Sequence, residues 1–322
     1  MRSLSRTGDK PLAGQGALVT GGSRGLGLLI ARELAAQGCR LLICARDGAE
    51  LERARHALRE TGADVQVFAC DLTDPQAVRA LAEAAESRLG AVDVLVNNAG
   101  IIQVGPIESL VEQDFVHAMD TMFYAPLRLV LALAPRMAQR GGGRVVNISS
   151  IGGRIPPPHL LPYSAAKFAL AGLSQGLRTE LARSGVSVTT VVPGLMRTGS
   201  HTAATFCGRS EREYAWFATA SSFKPISMDA ERAARAIVRA AVRRRPELIL
   251  TPVAKIAVRV QGIAPATTTR ALVLAARLLP GPGGDHLVPG AQAAVKRGRS
   301  RVLAALTAPA NRASRAFNEP TL

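Results

Sequence analysis

Tyr163 and Lys167 stand four residues apart in Tyr163-Ser164-Ala165-Ala166-Lys167, a segment that opens a helical pattern and puts both side chains on one face. An ammonium beside a phenol stabilises the phenolate, bringing a group with an ordinary pKa of about 10 into range for proton transfer. Ser150 closes the preceding apolar run, in Asn147-Ile148-Ser149-Ser150, thirteen residues before Tyr163. Its hydroxyl is suited to hydrogen-bond and orient a substrate oxygen beside the pair. Alone, a Tyr-x-x-x-Lys pair is common and carries little weight.

A second group of residues suits a phosphate. Ala17-Leu18-Val19 leads into Thr20-Gly21-Gly22-Ser23-Arg24-Gly25-Leu26-Gly27 and then directly into a helix. Glycines there let the backbone turn tightly and let a pyrophosphate approach the helix N-terminus, where free N–H groups and the dipole favour an anion. Placement between a strand and a helix gives the glycine run its meaning. Gly21, Ser23, Arg24, Gly25, Leu26 and Gly27 are the candidate cofactor contacts. The second apolar run ends at Cys44-Ala45-Arg46. An acid at this strand end holds a ribose 2′-hydroxyl, whereas arginine suits a 2′-phosphate. Ala45 takes the acid's place, and Arg24 and Arg46 both reach the region, so NADP (NADPH) is expected over NAD.

Short apolar runs and longer amphipathic stretches alternate to position these groups. The runs 17–20, 40–44, 65–69, 92–96, 144–148, 186–192 and 247–250 predict buried parallel strands. Helical patterns cover 26–37, 49–61, 75–89 and, as one long helix, 113–139. The alternation predicts an α/β fold with a doubly wound, parallel, seven-stranded Rossmann sheet in a domain spanning 14–250. Beyond Thr251 the texture changes, and prolines at 252, 265, 280, 282 and 289 divide a helical extension over 251–322. Its expected parts are helices at 252–263 and 266–279, a turn at 279–284, and a basic helix at 290–318 with a loose end.

Asp71-Leu72 follows the third strand, Asn97-Asn98-Ala99-Gly100 the fourth, and Pro193-Gly194 the sixth. With the glycine run, Ser150 and Tyr163-x-x-x-Lys167, in order and in register, they make the chain resemble the single-domain short-chain dehydrogenase/reductase family over about residues 14–250. The resemblance implies an NADP(H)-dependent enzyme that interconverts a ketone and a secondary alcohol by hydride transfer. It implies Tyr163 as general acid/base, Lys167 as the group that lowers its pKa and holds the nicotinamide ribose, and Ser150 as the group that polarises the carbonyl. By the same resemblance Asp71 and Leu72 meet the adenine, while Asn98, Ala99 and Gly100 line the cofactor cleft. Pro193 and Gly194 complete the cleft, and Thr198 contacts the carboxamide.

One position departs from the family pattern. An asparagine usual in the fourth long helix aligns with Met122, in Asp120-Thr121-Met122-Phe123-Tyr124-Ala125-Pro126. The asparagine's implied role is to stabilise a helix kink whose backbone carbonyl holds a water in the proton relay. Met122 keeps a carbonyl and loses the amide, while Pro126 can still distort the helix. An alternative reading follows: a non-catalytic NADP-binding sensor or scaffold. Retention of Ser150, Tyr163 and Lys167 favours an enzyme.

Aromatic residues crowd the expected lid, at Phe206, Tyr214, Trp216, Phe217 and Phe223, where they either pack the lid onto the domain or wall a lipophilic substrate. Arg154 to Pro162 forms the opposite wall, and His159 there has no evident partner and reads as a rim residue. The net charge is +16, but residues 230–322 hold 16 Lys/Arg against 4 Asp/Glu while 1–229 hold 24 against 20. The excess belongs to the extension and comes without a nucleic-acid motif, so peripheral attraction to a membrane surface or simple solubility is a better expectation than nucleic-acid binding. Lys255, Arg259, Arg270 and Arg277 interrupt the extension's apolar stretches and exclude a membrane span. For the extension's helices, docking on the domain or on another subunit is expected ahead of lipid, because apolar helices usually find protein first, and a homo-oligomer is expected. Cys39, Cys44, Cys70 and Cys207 match no metal or redox spacing and read as buried apolar residues of a cytoplasmic protein. No metal is expected.

Overall fold

Strand β1 (Gly16–Thr20) is buried at every position, as a strand covered on both faces must be. The chain continues through α1 (Gly25–Ala36), β2 (Arg40–Ala45), α2 (Gly48–Arg59), β3 (Val65–Ala69), α3 (Pro75–Leu89) and β4 (Val94–Asn97). Asp47 caps α2 by accepting the Glu50 N–H, and Asp74 caps α3 by accepting the Gln76 N–H. Arg24, at the start of α1, makes no such side-chain cap. The computed structural model describes residues 10–223, 226–296, 307–308, 311–314 and 316–319.

Next come β5 (Gln103–Val104), α4 (Glu112–Met119), a π-helical turn at Asp120–Tyr124, α5 (Ala125–Gln139), β6 (Gly143–Ile148), α6 (Leu161–Glu180) and β7 (Val186–Val192). The single helix expected over 113–139 is thus two helices. Pro126 has no N–H to return to the carbonyl of Met122, four residues back, so the regular ladder fails there. The Ala125 N–H instead reaches the carbonyl of Asp120, five residues back. The chain then passes through β8 (Leu195–Arg197), α7 (Ser200–Ala203), β9 (Thr205–Gly208), α8 (Ser210–Ser222), β10 (Ser227–Asp229), α9 (Ala230–Val242) and β11 (Glu247–Ile249).

The seven expected strands form one parallel sheet in the order β11-β7-β6-β4-β1-β2-β3. The fourth begins two residues later than expected, because Asp93 turns to accept the Gly16 N–H. Helices α1, α2 and α9 cover one face, while α3, α5 and α6 cover the other. After β3 the chain crosses back to lay β4 on the other side of β1. The strand order therefore reverses between β1 and β4, which opens a crevice at their carboxyl ends.

The extension holds α10 (Pro252–Ile263), α11 (Pro265–Ala276), β12 (Gly284–Pro289) and α12 (Gly290–Lys296). A strand here was not expected: β12 pairs antiparallel with β9, which pairs parallel with β5. Helix α12 packs on α7 and α8, whereas α10 and α11 form a hairpin with only Ala254 buried. Of the basic helix expected over 290–318, the first turns are α12, and 297–306 lie outside the described residues. No helix among the described residues is long and apolar enough to cross a membrane.

Candidate active site

A cleft of about 420 Å³ runs along the carboxyl ends of the central strands. Its cofactor half is lined by Gly21, Ser23, Arg24, Gly25, Leu26 and Gly27 from the first turn, and by Arg46, Asp71 and Leu72 beyond β2 and β3. Asn98, Ala99 and Gly100 after β4, and Pro193, Gly194 and Thr198 after β7, close its floor. Ser150, Tyr163 and Lys167 stand at its inner end. Expected site residues up to 177 positions apart in sequence thus meet along one trench.

The glycine turn has little room. Gly21 has φ +62°, and a Cβ at Gly27 would run into the carbonyl oxygen of Gly21. Asn98 latches the turn to β4: its side-chain amide donates to the carbonyls of Thr20 (3.0 Å) and Gly21 (3.1 Å). The Thr20 hydroxyl accepts from the N–H groups of Asn98 and Ala99 at 3.0 and 3.1 Å. Close backbone approach beside a helix N-terminus without a side-chain cap fits the phosphates of a dinucleotide. Asp71 accepts from the N–H and hydroxyl of Thr73, which hold its carboxyl below the usual range, with Arg46 adding to the effect.

At the inner end, the Lys167 ammonium donates to the Ile148 carbonyl at 2.7 Å and lies 5.7 Å from the centre of the Tyr163 ring. Burial lowers its pKa to about 8. Burial also raises the Tyr163 phenol, and the Ser150 hydroxyl opposes that rise. Ser150 accepts the Gly152 N–H at 3.0 Å, which fixes its hydroxyl on the cleft side of the turn after β6. Met122 is fully buried in a cluster with Ala118 and Ala166, against which Tyr163 packs. The kinked backbone at 120–124 therefore exists without the asparagine. Behind these groups, Asn97 donates to Asn147 (2.8 Å), which donates to Ser174 (3.0 Å), and Thr190 donates to the same hydroxyl (2.7 Å). This buried ladder ties β4, β6, β7 and α6 together beneath the cleft.

The family model of the short chain dehydrogenases matches residues 15–205. The chain belongs to that family. It is 40% identical over 195 residues to a Streptomyces violaceoruber protein assigned as ketoacyl reductase 1 of the granaticin polyketide synthase, covering 60% of this chain and 70% of that one. A crystal structure of a short-chain dehydrogenase from Streptomyces avermitilis superposes with a TM-score of 0.70 at 31% identity, over 82% of this chain and 97% of that one. L-Sorbose reductase from Gluconobacter frateurii, complexed with NADPH and L-sorbose, gives 0.68 at 26% identity, over 75% and 97%.

In this short-chain dehydrogenase the lid aromatics mostly pack on one another. Phe206 meets Tyr214 and Phe217 edge-on, with ring centres 5.6 and 6.0 Å apart, and only Phe217 of the five reaches the cleft. Ile101, Ile102, Pro157, Leu160 and Met196 supply the remaining apolar lining of the outer end. His159 does have a partner: its Nδ1 lies 2.9 and 3.0 Å from the two carboxylate oxygens of fully buried Glu213, which also accepts from Trp216 Nε1 at 2.6 Å. His159 has φ +62° and joins the 154–162 loop to α8. Sequence reasoning missed three acids that line the cleft, Asp47, Glu50 and Glu319. Glu50 accepts the Ser23 hydroxyl and pairs with Arg24 at 3.0 Å, and Glu319 pairs with Arg24 at 3.3 Å. Arg24 therefore already faces two carboxylates, whereas Arg46 is exposed at the rim. Three residues separate Arg46 from the acid at 50, and helical spacing turns Glu50 inward; nothing in the local sequence marks Glu319.

Proposed function

We propose that this chain is an NADP(H)-dependent reductase or dehydrogenase that interconverts a ketone and a secondary alcohol on a lipophilic substrate. The observation that carries the reading is the convergence of Ser150, Tyr163 and Lys167 where the glycine-lined trench meets the apolar outer pocket. The residues lining the trench fit a nicotinamide dinucleotide, which when bound supplies or accepts the hydride. Arg46 holds the 2′-phosphate. Asp71 and Leu72 flank the adenine, and Thr198 faces the carboxamide. Ser150 donates a hydrogen bond to the substrate oxygen and fixes it beside Tyr163. The Tyr163 phenol gives its proton to that oxygen in reduction and takes it back in oxidation. Lys167 holds the ribose and, as an ammonium, favours the phenolate whenever Tyr163 has lost its proton.

The apolar outer lining supports a lipophilic substrate. Turnover of NADPH against a panel of aliphatic, cyclic and acyl ketones tests the reading. Consumption with at least one of them is expected; NADPH binding with no turnover of any ketone or alcohol would favour the sensor alternative. The π-turn at Met122 weakens the motive for that alternative, because the kink persists.

Two associations belong to the same proposal. Val116, Tyr124, Leu131 and Phe168 are exposed on α4, the π-turn, α5 and α6, an apolar surface suited to a second copy. The hairpin α10–α11 exposes Ile256 (62%), Ile263 (85%) and Leu274 (60%). No acid lies between Glu247 and Asp285, while Lys255, Arg259, Arg270 and Arg277 do. Exposed apolar side chains with cations and no anions suit peripheral attachment to an anionic bilayer.

A further inference from the structure

The end of the extension returns to the first turn of the sheet. Asn311 Oδ1 lies 2.9 Å from Nε2 of buried His201 on α7. Ser314 packs so closely on Gly199 that a Cβ there would overlap it. The Phe317 carbonyl then accepts the Gly25 N–H at 2.8 Å, at the N-terminus of α1. Asn318, at φ +57°, donates to the carbonyls of Ser23 (2.9 Å) and Glu50 (3.2 Å) and accepts from Arg53 (3.2 Å). The Glu319 N–H donates to the Ser314 carbonyl at 3.0 Å, which turns the carboxylate into the cleft.

Glu319 is 91% buried, and its carboxylate sits where an anion bound to the turn would sit. A Cβ at Gly25 would lie 2.5 Å from Oε1 and 4.0 Å from the Thr198 Cβ. Oε2 is 3.3 Å from the Arg24 Nε but accepts no hydrogen bond among the described residues, so it is off the N–H direction. A buried carboxylate with an unmet oxygen is poorly satisfied. Burial pushes its pKa up to about 7, Arg24 opposing and Glu50 adding to the rise. A dinucleotide phosphate, with more oxygens and more charge, is the stronger partner for the same donors.

We propose that residues 311–314 and 316–319 form a clasp, with Glu319 as an internal anion that occupies Arg24 and the start of α1 until a cofactor phosphate displaces it. The clasp also grips Gly199 and His201, so its release loosens the lid over the substrate end. The proposal rests on the reading of the cleft as a dinucleotide site.

Two measurements on the full chain test it. In hydrogen exchange of the unaltered protein, NADPH should slow exchange in 20–27 and speed it in 311–319. Slower or unchanged exchange in 311–319, with protection of 20–27, would overturn the clasp and leave the cofactor reading intact. By calorimetry, Glu319→Ala should bind NADPH about tenfold more tightly, as expected for a clasp closed nine-tenths of the time. Weaker binding would make Glu319 part of the holding machinery, and equal binding would make it a bystander; either result overturns the proposal. Absence of NADPH binding by both proteins would overturn the cofactor reading and the clasp together.

Discussion

Helix α9 and the hairpin α10–α11 are both rich in alanine, valine, isoleucine and basic residues, and only a short strand separates them. In α9, Ala233, Ala234, Ile237, Val238 and Ala241 are buried against α1 and the sheet, and Arg232, Arg235 and Arg239 face water. In the hairpin, most of the apolar residues are exposed alongside the cations. Composition does not distinguish the two; the sheet does. A helix that follows a sheet edge with its apolar residues three and four apart has a surface waiting for it. Past β11 that surface is used up, so the hairpin's apolar side chains need cover from outside the domain. The chemistry lies wholly in the covered region, and the proposed membrane attachment lies wholly in the open one.

The sharpest way to break this division is at Tyr163. Tyr163→Phe removes only the phenolic oxygen, so turnover should fall by about a thousandfold while calorimetry finds NADPH binding nearly unchanged. Turnover close to the parent rate would mean that another group moves the proton. The next effect is in cofactor choice. Arg46→Asp replaces the exposed cation at the end of β2 by an acid and should weaken NADPH about 10- to 100-fold, the value of a lost charge-assisted contact. NADH should bind at least as well as before. Equal affinity of the parent protein for NADPH and NADH would remove Arg46 from the role.

How far the sequence could be read follows the same division. All seven strands of the parallel sheet were legible, because apolar runs between turn residues leave few alternatives and a parallel sheet buries both faces. The eighteen expected site residues line one cleft because their motifs sit at strand ends, where the fold gathers them. The division of α4 from α5 was half legible: Pro126 was seen, but the π-turn depends on which carbonyl loses its donor. The pairing of β12 with β9 and of Glu319 with Arg24 was not legible. Those contacts join segments far apart in sequence, and no periodicity marks a partner 295 residues away. His159 likewise reads as solitary until α8 brings Glu213 beneath it.

The open region should respond to surface changes that leave the covered one untouched. Ile256→Asp with Leu274→Asp adds two acids to an exposed surface, so NADPH binding and stability should stay close to the parent values. Cosedimentation with anionic vesicles at low salt should drop by about tenfold or more, from lost apolar insertion and lost charge attraction. The parent protein should leave the vesicles as salt rises. If the parent never binds anionic vesicles, the hairpin's cover must be protein.

The smallest effect contrasts one lysine from each region. Lys167 is 4% exposed, and its pKa of about 8 lies below the value of about 10.4 that it has in an unfolded chain. Between these values the folded protein binds fewer protons than the unfolded one, so stability should rise with pH across that window. Below about pH 8 the cost of burying the ammonium is fully present, at about 3 kcal/mol. Lys167→Met removes this cost and also leaves the Ile148 carbonyl without its donor, a loss of about 1–3 kcal/mol. The two nearly cancel, so at neutral pH the variant should be inactive yet no less stable than the parent, by up to a few degrees in Tm. Raising the pH should then turn the comparison against the variant, because only the parent gains as its lysine loses the proton. Lys255→Met, on the exposed hairpin, removes a cation that water already solvates, so its stability should run parallel to the parent at every pH. Denaturant titrations of the three proteins from neutral to alkaline pH make the check, with all other titrating groups common to them. A Lys167→Met curve that also runs parallel to the parent would show that the buried ammonium keeps its ordinary proton affinity, and that the covered region does not penalise charge.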